Sequence, residues 1–476
     1  MASAILAQPV NKYVNCLAEI RIMSLNTLKA DFTQRRNRAD VGKICHAPFN
    51  NLYFGNRGYV MACCANKMHV LGKYPVQSVA EIWAGSKAQE LRDAITQQDF
   101  NKGCQGCGVL YENGNYTAMP STAYEDHPQD HPEWPRRLEF ELSNTCNLEC
   151  AMCTGEYSSS IRERREGKPP LENPYDKDFL EQLKPYIPYL HSARFVGGEP
   201  FLIELYYDIW ELLIRLNPGI TIYIQSNGTI LNQRVKRVLE NLKMSISVSI
   251  DSLQPETYRR IRVNGDLERT LKNISFFSSY CKTAGTNFSL SFCPMKNNWR
   301  EIPDMVRFAN SMNATLFYNS VYYPASLSLM NLPVGELVEI AAYLARAELL
   351  ESSAIEKHNK QKYNDQQSEI RSYIKKANLE NDVNKSDISL DDYLQRIENY
   401  IQKQPGMSAL ERDAKIDVVS LKLHEFIKLA RQEDLEKETL RGLSDLSEDT
   451  IYQFLPDAQD ISRSYQLFKE RILKKD

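Results

Sequence analysis

The residues of this chain best suited to chemistry are the thiols of T-C-N-L-E-C-A-M-C: Cys146, Cys150 and Cys153, spaced C-x3-C-x2-C. Three cysteines on one short loop can hold three corners of a cubic iron–sulfur cluster. Such a cube has four irons, so three thiolates leave one iron without a protein ligand. An open metal position can chelate a substrate or cofactor. A structural zinc site and a chance grouping of thiols are the competing readings.

A second group lies upstream. C-H-A-P-F-N-N-L-Y-F-G-N-R-G-Y-V-M-A-C-C predicts two short strands around the turn G-N-R-G, which sets Cys45 and Cys63 near each other. Gly58 allows the positive φ that aims the second strand back. Cys104 and Cys107 follow in C-Q-G-C, after a helical run. Two cysteines on a hairpin and two on a loop can close a four-thiolate site; Cys64, next to Cys63, is an alternative ligand. C-x2-C pairs do not choose their metal, so a zinc ribbon is the alternative here. Cys16 and Cys281 read as buried or incidental residues.

These groups need elements to position them. The chain has 476 residues, which predicts two or three domains. Residues 120–135 hold four prolines and read as a linker, in which His127 and His131 are metal candidates of the weaker kind. R-R-L-E-F-E-L-S starts a strand that delivers the three-cysteine loop from its C-terminal end. Further strands are predicted at His191–Val196, Ile220–Gln225, Ser245–Ile250, Asn287–Cys293 and Thr315–Tyr322. Helices are predicted between them at Lys177–Tyr189, Leu202–Leu216, Leu231–Leu242, Leu267–Lys282 and Arg300–Met312. Units of this length imply parallel strands with crossover helices, and function at the strands' C-terminal ends. Beyond Leu332 the patterns are helical and charge-rich, with residues 355–385 a solvated helix or partly disordered.

Composition narrows the classes. Hydrophobic residues make up 42% and charged residues 25%, with a formal net charge of −3. That balance gives no pull toward nucleic acid or an anionic membrane. No apolar run is long enough to span a bilayer, and M-A-S-A-I-L-A-Q-P is a poor signal peptide. Of 11 cysteines, seven fall in the two groups, which reads as metal ligation in a reducing cytoplasm rather than as disulfides.

The C-x3-C-x2-C loop, with F-V-G-G-E-P following the next strand, resembles the radical SAM superfamily. The resemblance implies a partial (βα)6 radical SAM barrel at 136–330. It implies a [4Fe–4S] cluster on Cys146, Cys150 and Cys153 that binds S-adenosylmethionine and releases a 5′-deoxyadenosyl radical. Gly197, Gly198, Glu199 and Pro200 match the G-G-E-P motif that holds the methionine amino group. Ser226 and Asn227 of Q-S-N-G are placed to reach the ribose. Ser249, Asp251 and Arg262 are assigned to the same pocket, Arg262 against the methionine carboxylate, with Arg259 and Arg260 as rivals. Cys293 would lie at the barrel mouth as a hydrogen donor, or as a small packing residue. Residues 1–119 resemble the SPASM module, or its shorter twitch form, placed before the barrel and not after it. They imply one auxiliary [4Fe–4S] cluster on Cys45, Cys63, Cys104 and Cys107. The helical region 331–476 lies outside the resemblance. The implied activity is hydrogen abstraction from a ribosomally made peptide, or else from a sugar or aminocyclitol metabolite. A reductase or flavodoxin-type protein would donate electrons. A non-catalytic iron–sulfur or zinc protein is the reading from another class.

Overall fold

A computed structural model of the chain describes residue 32 and residues 44–112, 116, 119–125, 133–384, 389–404, 407–444 and 461–469. Cys16, His127 and His131 lie outside the described residues. By contact the chain divides into two units. The first comprises residues 1–292, 304–317 and 351–359, the second residues 293–303, 318–350 and 360–476.

The first unit is organised on strands β1 (Asn51–Phe54), β2 (Tyr59–Met61), β3 (Gly72–Lys73), β4 (Arg137–Phe140), β5 (Ser192–Phe195), β6 (Thr221–Ser226), β7 (Met244–Ser249), β8 (Phe288–Phe292) and β9 (Thr315–Tyr318). They form one sheet in the order β3-β2-β1-β4-β5-β6-β7-β8-β9. Neighbours from β4 to β8 run parallel, as crossover helices require. The predicted alternation is present, with most bounds shifted by a residue or two; the helix expected at Lys177–Tyr189 ends at Leu183, and a separate 3-10 turn follows at Ile187–Tyr189. β9 is shorter than expected: the ladder ends at Tyr318, and Tyr322 and Tyr323 are 64% and 71% exposed.

The local causes are plain. Ser158, Asp176, Asn232 and Asp266 each accept a backbone N–H three residues on, starting helices Ser159–Arg164, Lys177–Leu183, Gln233–Asn241 and Leu267–Ala284. Gly285, at φ 68°, ends the last of these in the left-handed conformation that glycine favours. Asn359, buried, closes the edge at β9. It accepts from Leu316 N–H at 2.8 Å and donates to Ala314 C=O at 2.9 Å.

The upstream cysteine module is joined to this sheet. β1 and β2 form the predicted antiparallel hairpin, and β1 also pairs parallel with β4. The join is aromatic. Phe54, Phe140 and Phe195 are register partners on β1, β4 and β5. Their rings stack at 5.7 Å and 5.0 Å between centroids. All three are essentially fully buried. Phe140→Ala would empty the middle of this stack and is expected to cost about 3–5 kcal/mol. A lowered thermal unfolding midpoint would register it.

Within residues 120–135, Pro120–Tyr124 form a 3-10 turn. Tyr124 is buried and donates to Glu139 at 2.5 Å. Glu139, fully buried on β4, also accepts from Asn51 at 3.0 Å and Arg194 at 3.1 Å. A buried carboxylate is tolerated because it is paired and hydrogen-bonded on several sides.

The second unit is helical. Leu390–Gln402, Ala409–Gln432, Glu436–Ser444 and Ile461–Phe468 share a core that includes Ile397, Leu423, Phe426 and Leu440. Residues 354–384 form one helix rather than a disordered stretch. Among the described residues no helix is long and apolar enough to cross a membrane.

Candidate active site

The three-cysteine loop leaves the C-terminal end of β4, and the G-G-E-P loop leaves that of β5. Tyr206, buried on helix Glu204–Leu216, holds these two ends together. Its hydroxyl lies 2.8 Å from Phe140 C=O and 2.7 Å from Val196 C=O, and it accepts from Leu142 N–H at 3.1 Å. The cysteine loop is also held by the segment that follows β7. Glu149 and Ala151 donate their N–H groups to Val263 and Ile261 at 3.1 Å and 2.8 Å. Arg165 donates to Cys150 C=O at 3.2 Å.

A cavity of about 430 Å³ opens here. Cys146, Cys150 and Cys153 line it, with Gly197, Gly198, Ser226, Asn227, Ser249 and Arg262. Arg262 donates through Nε to Asp251 at 2.6 Å, and its Nη1 lies 3.8 Å from Cys150 Sγ. Asn227 Nδ2 donates to Asn147 Oδ1 at 3.0 Å and lies 3.9 Å from Cys146 Sγ. The rival Arg259 is on the exposed face of its helix, paired with Glu256.

Four residues expected in the pocket or at its mouth are not among those lining it. Glu199 is fully buried, and its carboxylate accepts from Phe201 N–H at 3.1 Å, Ser226 Oγ at 2.9 Å and Asn227 N–H at 2.7 Å. It ties the G-G-E-P loop to the Q-S-N-G loop, and burial pushes its carboxyl up to about 7 against those hydrogen bonds. Asp251 is buried behind Arg262. Pro200 opens a buried 3-10 turn. Cys293 is the first residue of the second unit, where its C=O accepts from Asn298 at 3.0 Å; it is not among the cavity-lining residues.

The glycine pair also has a different neighbour from the one expected. A Cβ on Gly198 would sit 2.2 Å from Thr145 C=O, and one on Gly197 2.7 Å from Ser143 C=O. Gly198 and Glu199 donate their N–H groups to those same carbonyls at 3.0 Å and 2.7 Å. The close approach is thus to the cysteine loop itself.

A second cavity, of about 240 Å³, brings together Cys45, Cys63, Cys104 and Cys107. Asn66 organises it, donating to Lys102 C=O at 2.8 Å and to Cys104 Sγ at 3.3 Å, and accepting from His69 N–H at 3.1 Å. Phe100, Leu110 and Met119 give it an apolar rim. Cys64 does not line this cavity; it lines the larger one, with Tyr53, Lys67, Glu141 and Arg194. The sequence held no signal for Asn66 or for the divergence of Cys63 and Cys64, because both depend on how the turn after β2 is folded.

Burial pushes the Cys146 thiol up to about 12 and Cys153 up to about 11, and raises Cys150. In the second cavity burial pushes Cys104 up to about 11 and raises Cys63 and Cys107. Such thiols hold their protons in the metal-free chain, and a metal must displace them. Iron uptake is therefore opposed by acid. Reconstitution with ferrous iron and sulfide is expected to speed up as pH rises from about 7 to about 9, as followed by visible absorbance. A multi-iron cluster, with ligands at separate corners, fits thiols distributed around a cavity.

A parallel partial barrel, with three thiols on one loop and four in a flanking cavity, has the donor sets of an iron–sulfur protein. The family comparisons specify which. Residues 140–309 match the radical SAM superfamily, and residues 45–108 match an iron-sulfur cluster-binding domain, SPASM. Residues 140–309 thus carry a radical SAM domain, and a SPASM domain lies on its N-terminal side. The cofactors of these domains are a [4Fe–4S] cluster with S-adenosylmethionine, and auxiliary iron–sulfur. The chain is similar to a probable GTP 3′,8-cyclase of Methanocaldococcus jannaschii, 25% identical over 38% of this chain and 57% of that protein. It is also similar to a GTP 3′,8-cyclase of Rhizobium etli, 25% identical over 47% of this chain and 59% of that protein. The match thus spans less than two thirds of either relative. Among solved structures, Streptococcus suis SuiB bound to S-adenosylmethionine is 16% identical, covering 56% of this chain and 62% of that one, with a TM-score of 0.33.

Proposed function

We propose that the chain cleaves S-adenosylmethionine reductively and abstracts hydrogen from a C–H bond of a ribosomally made peptide. The observation that carries this is the common cavity of Cys146, Cys150, Cys153, Ser249 and Arg262. When bound, the cluster and S-adenosylmethionine supply the 5′-deoxyadenosyl radical. Cys146, Cys150 and Cys153 would ligate the cluster. Arg262, held by Asp251, would present its guanidinium to the methionine carboxylate. Ser226, Asn227 and Ser249 offer hydroxyl and amide groups to the ribose. Gly197, Gly198 and Pro200 shape the loop that bears on the methionine. Glu199 acts on the methionine end by fixing that loop to Asn227. Cys45, Cys63, Cys104 and Cys107 would hold one auxiliary [4Fe–4S] cluster, fully ligated and so suited to electron transfer.

The cavity wall away from these groups carries both signs of charge, Lys67 and Glu141, beside Tyr53 and Gln225. That mixture, to which Arg194 adds a further donor, suits the mixed donors and acceptors of a peptide. The second reading, a small-molecule substrate, is favoured by the GTP 3′,8-cyclase relatives. The electron donor is a reductase or flavodoxin-type protein, and the setting a reducing cytoplasm that spares the clusters.

The test is 5′-deoxyadenosine formation by anaerobically reconstituted protein, given reductant, S-adenosylmethionine and either the peptide or the small-molecule fraction of the host. Stimulation by peptides is the expected result. Stimulation by small molecules alone would replace the peptide reading, and no deoxyadenosine with intact clusters would end the radical one.

A further inference from the structure

Cys63 and Cys64 are chain neighbours with different surroundings. Cys63 lines the four-thiol cavity, and Cys64, half-buried, lines the cavity of Cys146, Cys150 and Cys153. We propose that Cys64 is a catalytic residue, the hydrogen-atom donor that quenches the carbon radical formed on the substrate; this rests on the radical reading above.

The cavity offers few hydrogens that a carbon radical can take. S–H and phenolic O–H are the side-chain bonds to hydrogen weak enough for a carbon radical to break readily. Cys146, Cys150 and Cys153 have no S–H once they ligate iron. Cys64 is then the remaining thiol among the described residues lining the cavity. Two phenols line it as well. Tyr53 donates its hydroxyl to Glu141 at 2.6 Å, and a hydrogen so bound must be freed before a radical can take it. Tyr157 accepts from Lys67 Nζ at 3.0 Å and is 40% exposed, which makes it the rival.

The step balances simply. The S–H bond of Cys64 breaks as the new C–H bond forms, leaving a thiyl radical on Sγ. One electron from the one-electron reductant that also drives cleavage, with one proton from water, restores the thiol. Substrate hydrogen abstracted on one side is then replaced by solvent-derived hydrogen from Cys64.

The experiment needs no substrate. Cluster-loaded full-length protein is incubated anaerobically with S-adenosylmethionine and dithionite in D₂O. The deoxyadenosyl radical formed without substrate then takes hydrogen from the cavity, and an exchanged Cys64 S–D marks it. Mass spectrometry reads the deuterated fraction of the 5′-deoxyadenosine, a ratio independent of yield. The expected result is that Cys64→Ala and Cys64→Ser lower this fraction severalfold, whereas Tyr157→Phe leaves it as in the wild type. An unchanged fraction in both Cys64 variants, or its loss in Tyr157→Phe alone, overturns the proposal. If no deoxyadenosine forms even with the peptide fraction supplied and the clusters intact, the radical reading fails and takes the proposal with it. Iodoacetamide mapping of the loaded protein tests the assignment apart from turnover. Alkylation at Cys64 with Cys63 protected is expected, and the reverse pattern overturns it even where cleavage persists.

Discussion

Cys150→Ala is expected to remove one of two clusters and with it all detectable cleavage of S-adenosylmethionine. Cys150 is the most buried of the three loop thiols, at 9% exposure, and the one within 3.8 Å of the Arg262 guanidinium. Arg262 is in turn paired with the buried Asp251 at 2.6 Å. The substitution therefore leaves two thiolates where three are needed, and an arginine facing an apolar methyl group. Iron content should fall from about eight to about four per chain if each site holds a four-iron cube. Loss of partners around a ligand already costs 10- to 100-fold in such sites, so removing a ligand should lower deoxyadenosine formation by more than about 100-fold. Iron assay and chromatography of the nucleoside check both parts. Full iron retention would take Cys150 out of the ligand set.

Gly198→Ala should act nearly as strongly while touching no ligand. The added methyl group would lie 2.2 Å from Thr145 C=O, 2.6 Å from its carbon and 2.7 Å from the Asn144 carbon. These are backbone atoms, unable to rotate away. The loop of Cys146 must move, breaking the 2.7 Å hydrogen bond from Glu199 N–H to Thr145 C=O. Overpacking of this kind costs about 1–3 kcal/mol or more, and here it also shifts a cluster ligand. The variant should fold with a lowered thermal midpoint and load its three-thiol site poorly, as read from iron content. Gly335→Ala is the control: nothing lies within 4 Å of its Cβ, and the site is helical, so it should be neutral or mildly stabilising.

The alternation of strands and helices was legible because each parallel unit carries its own periodicity and caps. Strand β6, buried at every second residue, and helix Gln233–Asn241, buried at Val235, Val238 and Leu239, write their environment directly into sequence. The thiol sets were legible by spacing. What could not be read was decided by contacts between distant segments. The pairing of β1 with β4 leaves no local mark, so the upstream module read as a separate piece. Glu199 looked like a ligand-facing carboxylate because its chemistry is the same whether its partners are a cofactor ammonium or three donors of its own fold. The divergence of Cys63 and Cys64 likewise needed the backbone path after β2.

The shared sheet has a consequence for biogenesis. β1 leaves the ribosome well before β4, and until β4 arrives it has only the three-residue β2 beside it. A short two-stranded hairpin is marginal in water, so Cys63 is not yet held opposite Cys45. The stack of Phe54 on Phe140 and Phe195 forms only after β5 is made. The upstream thiols thus acquire their arrangement late, together with the loop of Cys146, and metallation of both sites belongs after synthesis of the barrel. An isolated hairpin fragment would offer iron carriers only loosely placed thiols, and the cell would gain nothing by loading it early.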